Sequence, residues 1–148
     1  MLTVPVAVDE VVARALLHVR AGGPALDVPD DLPLVLADPG LLERVVANLV
    51  DNALRYAPPD EPVRIVAGVR GDELALAVVD HGPGVPEEDW PRLFVPFHRL
   101  DDRTSGAELG LGLAIAQGFT EAMDGRLTPS RSPGGGLTMT ITLPLAQR

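Results

Sequence analysis

Residues 38–59 read Asp38-Pro39-Gly40-Leu41-Leu42-Glu43-Arg44-Val45-Val46-Ala47-Asn48-Leu49-Val50-Asp51-Asn52-Ala53-Leu54-Arg55-Tyr56-Ala57-Pro58-Pro59. They form the best-defined helical pattern of the chain. Asp38 is a natural N-cap, because its short side chain can accept from the free N–H groups of a first turn. Pro39 suits the first helical position, where its fixed φ is already helical and its missing N–H is not needed. The apolar pattern then runs to Tyr56, and Pro58-Pro59 ends it. On a helical wheel centred on Asn48, the residues Leu42, Val46, Ala47, Leu49, Val50, Ala53 and Leu54 share a core-facing arc. Arg44, Asn48, Asp51, Asn52 and Arg55 share the opposite arc, with Tyr56 at its edge. A polar arc is ordinarily a solvated surface. Asparagine, however, is a mediocre helix former, because its side chain competes for backbone hydrogen bonds, so two of them at i and i+4 are less expected on an idle face. A neutral amide oxygen is a hard ligand that suits Mg²⁺. Arg55, just beyond Asn52, has the charge to hold a phosphate.

Outward from this helix the chain alternates short strands with two further helices. On the N-terminal side, Val11, Val12, Ala15, Leu16 and Val19 recur at helical spacing behind a possible cap at Asp9, and Ala21-Gly22-Gly23-Pro24 stops the pattern. Two short strand candidates, Ala25–Val28 and Leu34–Ala37, flank the turn-like Pro29-Asp30-Asp31. On the C-terminal side, Val63–Val69 and Leu74–Val79 read as a hairpin across Arg70-Gly71-Asp72. A third helix is expected from about Leu111 to Met123, closed by Asp124-Gly125. Arg126–Arg131 and Leu137–Leu143 form a last hairpin across Ser132-Pro133-Gly134-Gly135-Gly136. In that final strand Leu137, Met139, Ile141 and Leu143 point one way, and Thr138, Thr140 and Thr142 point to a wet face. Helices and antiparallel hairpins in this order predict an α+β fold. The expected architecture is a two-layer α/β sandwich whose mixed, mostly antiparallel sheet is covered by helices on one face. They argue against repeated βαβ units.

The bulk properties fit one domain over residues 1–148. The chain is 46% hydrophobic and 22% charged, ordinary for a globular domain and wrong for a disordered one. No apolar run approaches the ~18 residues of a membrane span, and no signal-peptide pattern opens the chain. The net charge of -9 disfavours nucleic acid and anionic lipid as partners. Cysteine is absent, which excludes disulfides and thiolate metal sites and fits a reducing compartment. All 12 basic residues are arginine, so a lysine-based phosphate loop is excluded.

Three further constellations carry chemistry. In Asp80-His81-Gly82-Pro83-Gly84, the carboxylate is in register with Leu74, Leu76 and Val78, so strand alternation aims it at their side of the sheet. An acid there is costly unless something hydrogen-bonds it. It is either a turn-initiating Asp followed by flexible glycines, or a buried acceptor for the exocyclic amine of a base, with the glycines letting a ligand approach the backbone. In Gly106-Ala107-Glu108-Leu109-Gly110-Leu111-Gly112-Leu113, glycines placed at a helix start suit a phosphate held by backbone N–H groups and the helix dipole; the alternative is a tight turn. Residues 81–108 lack sustained periodicity, which suggests a functional lid. Within them, Leu93-Phe94-Val95-Pro96-Phe97 reads as a small apolar anchor.

Taken in order, Asn48-x-x-x-Asn52, Asp80-x-Gly82-x-Gly84, Phe94-x-x-Phe97 and Gly110-x-Gly112-Leu113 resemble the N, G1, F and G2 boxes of the sensor histidine kinase ATP-binding domain. The resemblance runs from about Val6 to Leu145. Pro133-Gly134-Gly135-Gly136 before the last strand resembles the potassium-sensing subgroup. The resemblance implies a Bergerat-type ATP-binding fold with ATP and Mg²⁺ as cofactors. It implies that Asn52 coordinates the metal, that Asn48 and Arg55 act at the triphosphate, and that Tyr56 packs on the adenine. By the same resemblance Asp80 reads the adenine, and Gly82, Gly84, Gly110, Leu111, Gly112 and Leu113 surround the nucleotide. A flexible ATP lid is expected over about 95–109.

The implied activity is transfer of the γ-phosphoryl to a histidine on a partner dimerisation domain, with a response regulator downstream and a cytoplasmic setting. The isolated domain is expected to be monomeric. There are departures from the family pattern. Glu108 replaces the first glycine of the G2 box, and none of His18, His81 and His98 lies in a phosphoacceptor context. The phosphoacceptor hairpin, sensor and membrane segments are not expected in this chain. Two rival readings are an anti-sigma-factor-type serine kinase, which the Phe94-x-x-Phe97 box disfavours, and a nucleotide-binding scaffold without kinase activity, which only Glu108 supports.

Overall fold

The structure is a computed structural model that describes residues 1–17, 19, 23–96 and 108–146, with 108–110 described by backbone alone. The elements follow in the order β1 (Val4–Val6), α1 (Val8–Leu16), β2 (Ala25–Asp27), β3 (Val35–Ala37), α2 (Pro39–Tyr56), β4 (Arg64–Arg70), β5 (Glu73–Val79), a 3₁₀ segment (Glu87–Phe94), α3 (Glu108–Ala122), β6 (Arg126–Arg131) and β7 (Leu137–Pro144). The main sheet has the strand order β2-β4-β5-β7-β6. Only the β2–β4 pair is parallel; the β4–β5, β5–β7 and β6–β7 pairs are antiparallel. Pro129 lies in β6, an edge strand, where a missing N–H is tolerated.

One face of this sheet makes the core. Leu76 stands opposite both Ala67 and Ile141, and Val78 opposite Ile65 and Met139. All six are buried, together with Leu42, Val45, Val46, Leu49, Val50 and Ala53 of α2 and Leu113 and Ala116 of α3. The buried set of α2 is the arc expected from its periodicity, with Val45 added; Ala47 and Leu54 are partly buried. The two-layer sandwich, helices over one face of a mostly antiparallel sheet, is the architecture expected.

The start of α2 is tied down twice. Asp38 Oδ1 accepts from the Leu41 N–H at 3.0 Å, as an N-cap should, and Oδ2 accepts from the Leu2 N–H at 2.8 Å. These bonds, Leu2's first and then Leu41's, hold the carboxyl below its usual range.

Several local expectations change. Asp9 does not cap α1: the N-cap is Ala7, without a side-chain bond, and Asp9 sits in the first turn, where an acid still complements the helix dipole. The two strand candidates before α2 do not pair with each other. β2 joins the main sheet, while β3 pairs with β1, a strand the sequence pattern does not announce. The aperiodic stretch after Asp80 contains the 3₁₀ segment, which packs on α3. α3 begins at Glu108, three residues before the expected start. Thr138 is buried at 8% exposure, while Thr140 and Thr142 on the same strand face are half-exposed. Most of the expected lid, with Phe97, His98 and the Glu108 side chain, lies outside the described residues, as does His18. Among the described residues no helix is long and apolar enough to cross a membrane.

Candidate functional site

α2 meets the first turns of α3 near its middle and the turn after β5 at its end, and this double contact frames the site. Near the middle of the helix, Asn48 Nδ2 donates to the Gly112 carbonyl oxygen of α3 at 3.4 Å. At its end, the Tyr56 carbonyl abuts Gly82, so closely that a Cβ on Gly82 would overlap it. Asn48 and Tyr56 are eight residues apart, so the two contacts lie about 12 Å apart along the axis, comparable with the length of a nucleoside triphosphate. Asn52 sits half-buried between them, with no side-chain hydrogen bond among the described residues. Arg55 and Tyr56 are exposed, Tyr56 at 38%. Arg55 makes no ion pair among the described residues.

Asp80 follows directly from β5 and is 4% exposed, on the core side as strand alternation requires. Its surroundings hold nearly every polar atom. The Asp80 N–H donates to the Leu137 carbonyl at 3.0 Å. Its Oδ1 accepts from the Gly82 N–H at 2.9 Å and the Leu137 N–H at 3.3 Å. Its main-chain oxygen accepts from Ser132 Oγ at 2.7 Å. Oδ2 has no partner among the described residues. A buried carboxylate oxygen without a donor is expensive, and Oδ2 has the capacity to accept one further N–H.

The glycines divide into two kinds. Gly82 and Gly136 are glycine because backbone passes too close for a side chain: Gly82 against Tyr56, and Gly136, at φ +109°, against the Asp80 carbonyl. Gly84, at φ +76°, needs glycine for its backbone conformation and lies against Gly136. The expectation that the glycines after Asp80 make room for a ligand is therefore revised for Gly82, whose missing side chain makes room for α2. Gly112 is different. Among the described residues, a Cβ there would meet nothing within 4 Å. Gly110 and Gly112 lie within the first turns of α3 and not ahead of it, where glycine carries a helix-propensity cost; at Gly112 no contact among the described residues explains it. Leu111 is 38% exposed, whereas Leu113 is 5% exposed and belongs to the core.

Sequence reasoning brought together Asn48, Gly112, Asp80, Gly82 and Tyr56, but it missed what lies under Asp80. Ser132 and Gly136 lie against its main-chain carbonyl, and Thr138 bonds Ser132 behind them. The one available signal was the Gly134-Gly135-Gly136 run, whose members all take positive φ. His81 is tied to the same turn, with Nδ1 3.2 Å from the Gly135 carbonyl oxygen. Leu93 and Phe94 are partly buried against the core, as an apolar anchor would be.

Residues 37–147 match the family model described as histidine kinase-, DNA gyrase B-, and HSP90-like ATPase. The chain is 46% identical over 141 residues to the sensor protein KdpD of Rathayibacter rathayi, an alignment covering 94% of this chain and 16% of that protein. This chain thus spans about a sixth of the length of that relative. Among solved structures, the mycobacterial sensor histidine kinase MprB superposes with TM-score 0.80 at 27% identity, covering 97% of this chain and 98% of that one. Full-length ShkA in complex with AMPPNP superposes with TM-score 0.78 at 29% identity, covering 97% of this chain and 32% of that one.

Proposed function

The chain belongs to the histidine kinase-, DNA gyrase B-, and HSP90-like ATPase family, and from this membership we propose that it binds ATP with Mg²⁺ and transfers the γ-phosphoryl group to a histidine on a dimerisation domain of its parent protein. It is a histidine kinase-type ATPase domain of the sensor-kinase kind. The observation that carries the binding reading is the unpartnered Asp80 Oδ2 in a 4% exposed residue. Adenine offers the exocyclic amine that this oxygen lacks. Tyr56 and Gly82 then border the base, with Gly84 in the turn behind. The polar face of α2 leads from there toward Gly110, Leu111, Gly112 and Leu113.

At that other end, Asn48 and the first turns of α3 receive the triphosphate. Arg55, exposed and without an ion pair among the described residues, supplies charge to the phosphates. Asn52 offers a hard amide oxygen from a half-buried position, which fits a Mg²⁺ ion carried in with the phosphates. Bound there, the metal neutralises phosphate charge. The work left to this chain is positioning and charge stabilisation.

The accepting imidazole comes from the partner domain. His81 is tied to the Gly135 turn beside Asp80, at the base end of the site. In this reading the domain works on the cytoplasmic side, where ATP is available, as a monomer docked on its dimerisation domain, and a response regulator takes the phosphoryl group onward.

Incubating the purified chain with ATP·Mg²⁺ tests the proposal. The chain alone should take up no stable label. Adding the helical-hairpin domain of the parent protein should give labelling that is labile to acid and stable to alkali. Strong labelling of the chain by itself, or a folded cognate hairpin that stays unlabelled, would overturn it.

A further inference from the structure

The floor beneath Asp80 contains two buried hydroxyl groups, on Ser132 and Thr138. Ser132 Oγ lies 2.7 Å from the Asp80 main-chain oxygen and 2.9 Å from Thr138 Oγ1. The residues are 4% and 8% exposed. The direction of the two bonds follows from what each atom can do. A carbonyl oxygen only accepts, so the single proton of Ser132 is committed to Asp80. Thr138 must then donate to Ser132 Oγ. The result is a directed relay, Thr138 to Ser132 to the Asp80 carbonyl, in which the first bond polarises the second.

The placement of Thr138 is itself informative. It stands on the strand face where Thr140 and Thr142 are half-exposed, and it alone of the three is buried. The relay therefore reaches Asp80 from behind the sheet, opposite the helices that frame the site. Combined with the Leu137 and Gly82 bonds to the same residue, it leaves Asp80 with only Oδ2 unassigned. The Gly82 and Leu137 N–H groups on Oδ1 orient that oxygen, and the relay holds the main chain from which the side chain hangs.

We propose that Ser132 and Thr138 are positioning residues that fix the direction of Asp80 Oδ2 and thereby set the selectivity of the site for a 6-amino over a 6-oxo purine nucleotide. The inference rests on the reading of Asp80 as the base acceptor. A fixed carboxylate oxygen accepts from the amine of adenine and is repelled by the carbonyl oxygen of hypoxanthine. A carboxylate free to rock discriminates less. Loss of the Ser132 hydroxyl leaves the buried Asp80 carbonyl unsatisfied, and loss of the Thr138 hydroxyl weakens the bond that remains.

The test is calorimetric titration of the full chain with Mg·ATP and Mg·ITP, for the wild type and for Ser132→Ala, Thr138→Val, Thr138→Ser and Asp80→Asn, with a thermal melt of each. Thr138→Val keeps shape and removes the hydroxyl, whereas Thr138→Ser keeps the hydroxyl. The ratio of ATP to ITP affinity should fall about five-fold in Ser132→Ala and Thr138→Val, and Thr138→Ser should restore it. A merely structural role would lower both affinities and the melting temperature in parallel and leave the ratio unchanged, and that result overturns the proposal. If Ser132→Ala fails to fold, the Val/Ser pair at 138 decides. If Asp80→Asn also leaves the ratio unchanged, the reading of Asp80 fails and the relay's role falls with it. If Asp80→Asn changes the ratio while the hydroxyl variants do not, only the relay is refuted.

Discussion

The side-chain amide of Asn48 reaches the main-chain carbonyl of Gly112, 64 residues later in the chain, at 3.4 Å. One hydrogen bond thus joins the polar face of α2 to the first turns of α3, at a glycine with no neighbour among the described residues where a side chain would be. Asn48→Asp would turn the donor into a charged acceptor facing a carbonyl. ATP affinity should fall by about tenfold or more, measured by calorimetry. Unchanged affinity in a folded variant would mean that this contact does not shape the phosphate end.

Gly112 and Gly136 should respond oppositely to alanine. At Gly112 the methyl group of a helical alanine meets no neighbour among the described residues, so the fold should gain roughly 0.5–1 kcal/mol. Nucleotide binding should weaken by about five- to a hundred-fold, because the methyl occupies the ligand's room. At Gly136 the φ of +109° and the contact with the Asp80 carbonyl leave no place for the methyl. That variant should lose roughly 1–3 kcal/mol from backbone strain alone. Thermal melts paired with ATP titrations separate the two. A destabilised Gly112→Ala would show that the methyl is not accommodated.

Asp80→Asn keeps the size of the side chain and removes its charge. A charged acceptor on a buried amine contributes roughly 1.5–3 kcal/mol, so ATP should bind about ten- to a hundred-fold more weakly. The fold should survive, since Oδ1 and the main-chain bonds remain. A folded variant with wild-type affinity would remove Asp80 from the site.

Asn52→Ala takes an amide oxygen from the stretch of α2 between its contacts with α3 and with the turn after β5. Most of the Mg²⁺ dependence of ATP binding should disappear with it. Wild type and variant would be titrated with ATP at several Mg²⁺ concentrations. Identical responses would refute the metal role.

Asp38 gives the fold a pH dependence of known sign. Its carboxyl is held below the usual value by the Leu2 N–H first and the Leu41 N–H second. A depressed acid contributes stability that is fully present above the ordinary value of 3.8 and is lost as pH falls through the lower folded value. Asp38→Asn still caps the helix but does not titrate there. Chemical denaturation from about pH 6 to about pH 3 should show a shallower loss of stability in the variant below the carboxylate range. Parallel curves would assign the acid limb to other groups.

Much of this protein was legible one residue at a time, because the relevant forces are local or periodic. The cap at Asp38, the stop at Pro58-Pro59, the buried arc of α2 and the inward register of Asp80 all follow from helix and strand geometry, and each stands where the pattern puts it. The box motifs likewise announced the family. Other features needed the fold. Gly82 is glycine because α2 ends against it, and Gly136 because the Asp80 carbonyl lies against it, facts about segments 26 and 56 residues away that no local preference encodes. β1 and β3 are each three residues long and carry too little pattern to stand out; what defines them is their pairing with each other. Thr138 reads as the outward member of an alternating strand, and only the turn folded over it makes it a buried donor. Periodicity tells which way a side chain points from its own backbone, whereas what it meets there depends on chain returning from elsewhere, and that is a property of tertiary packing alone.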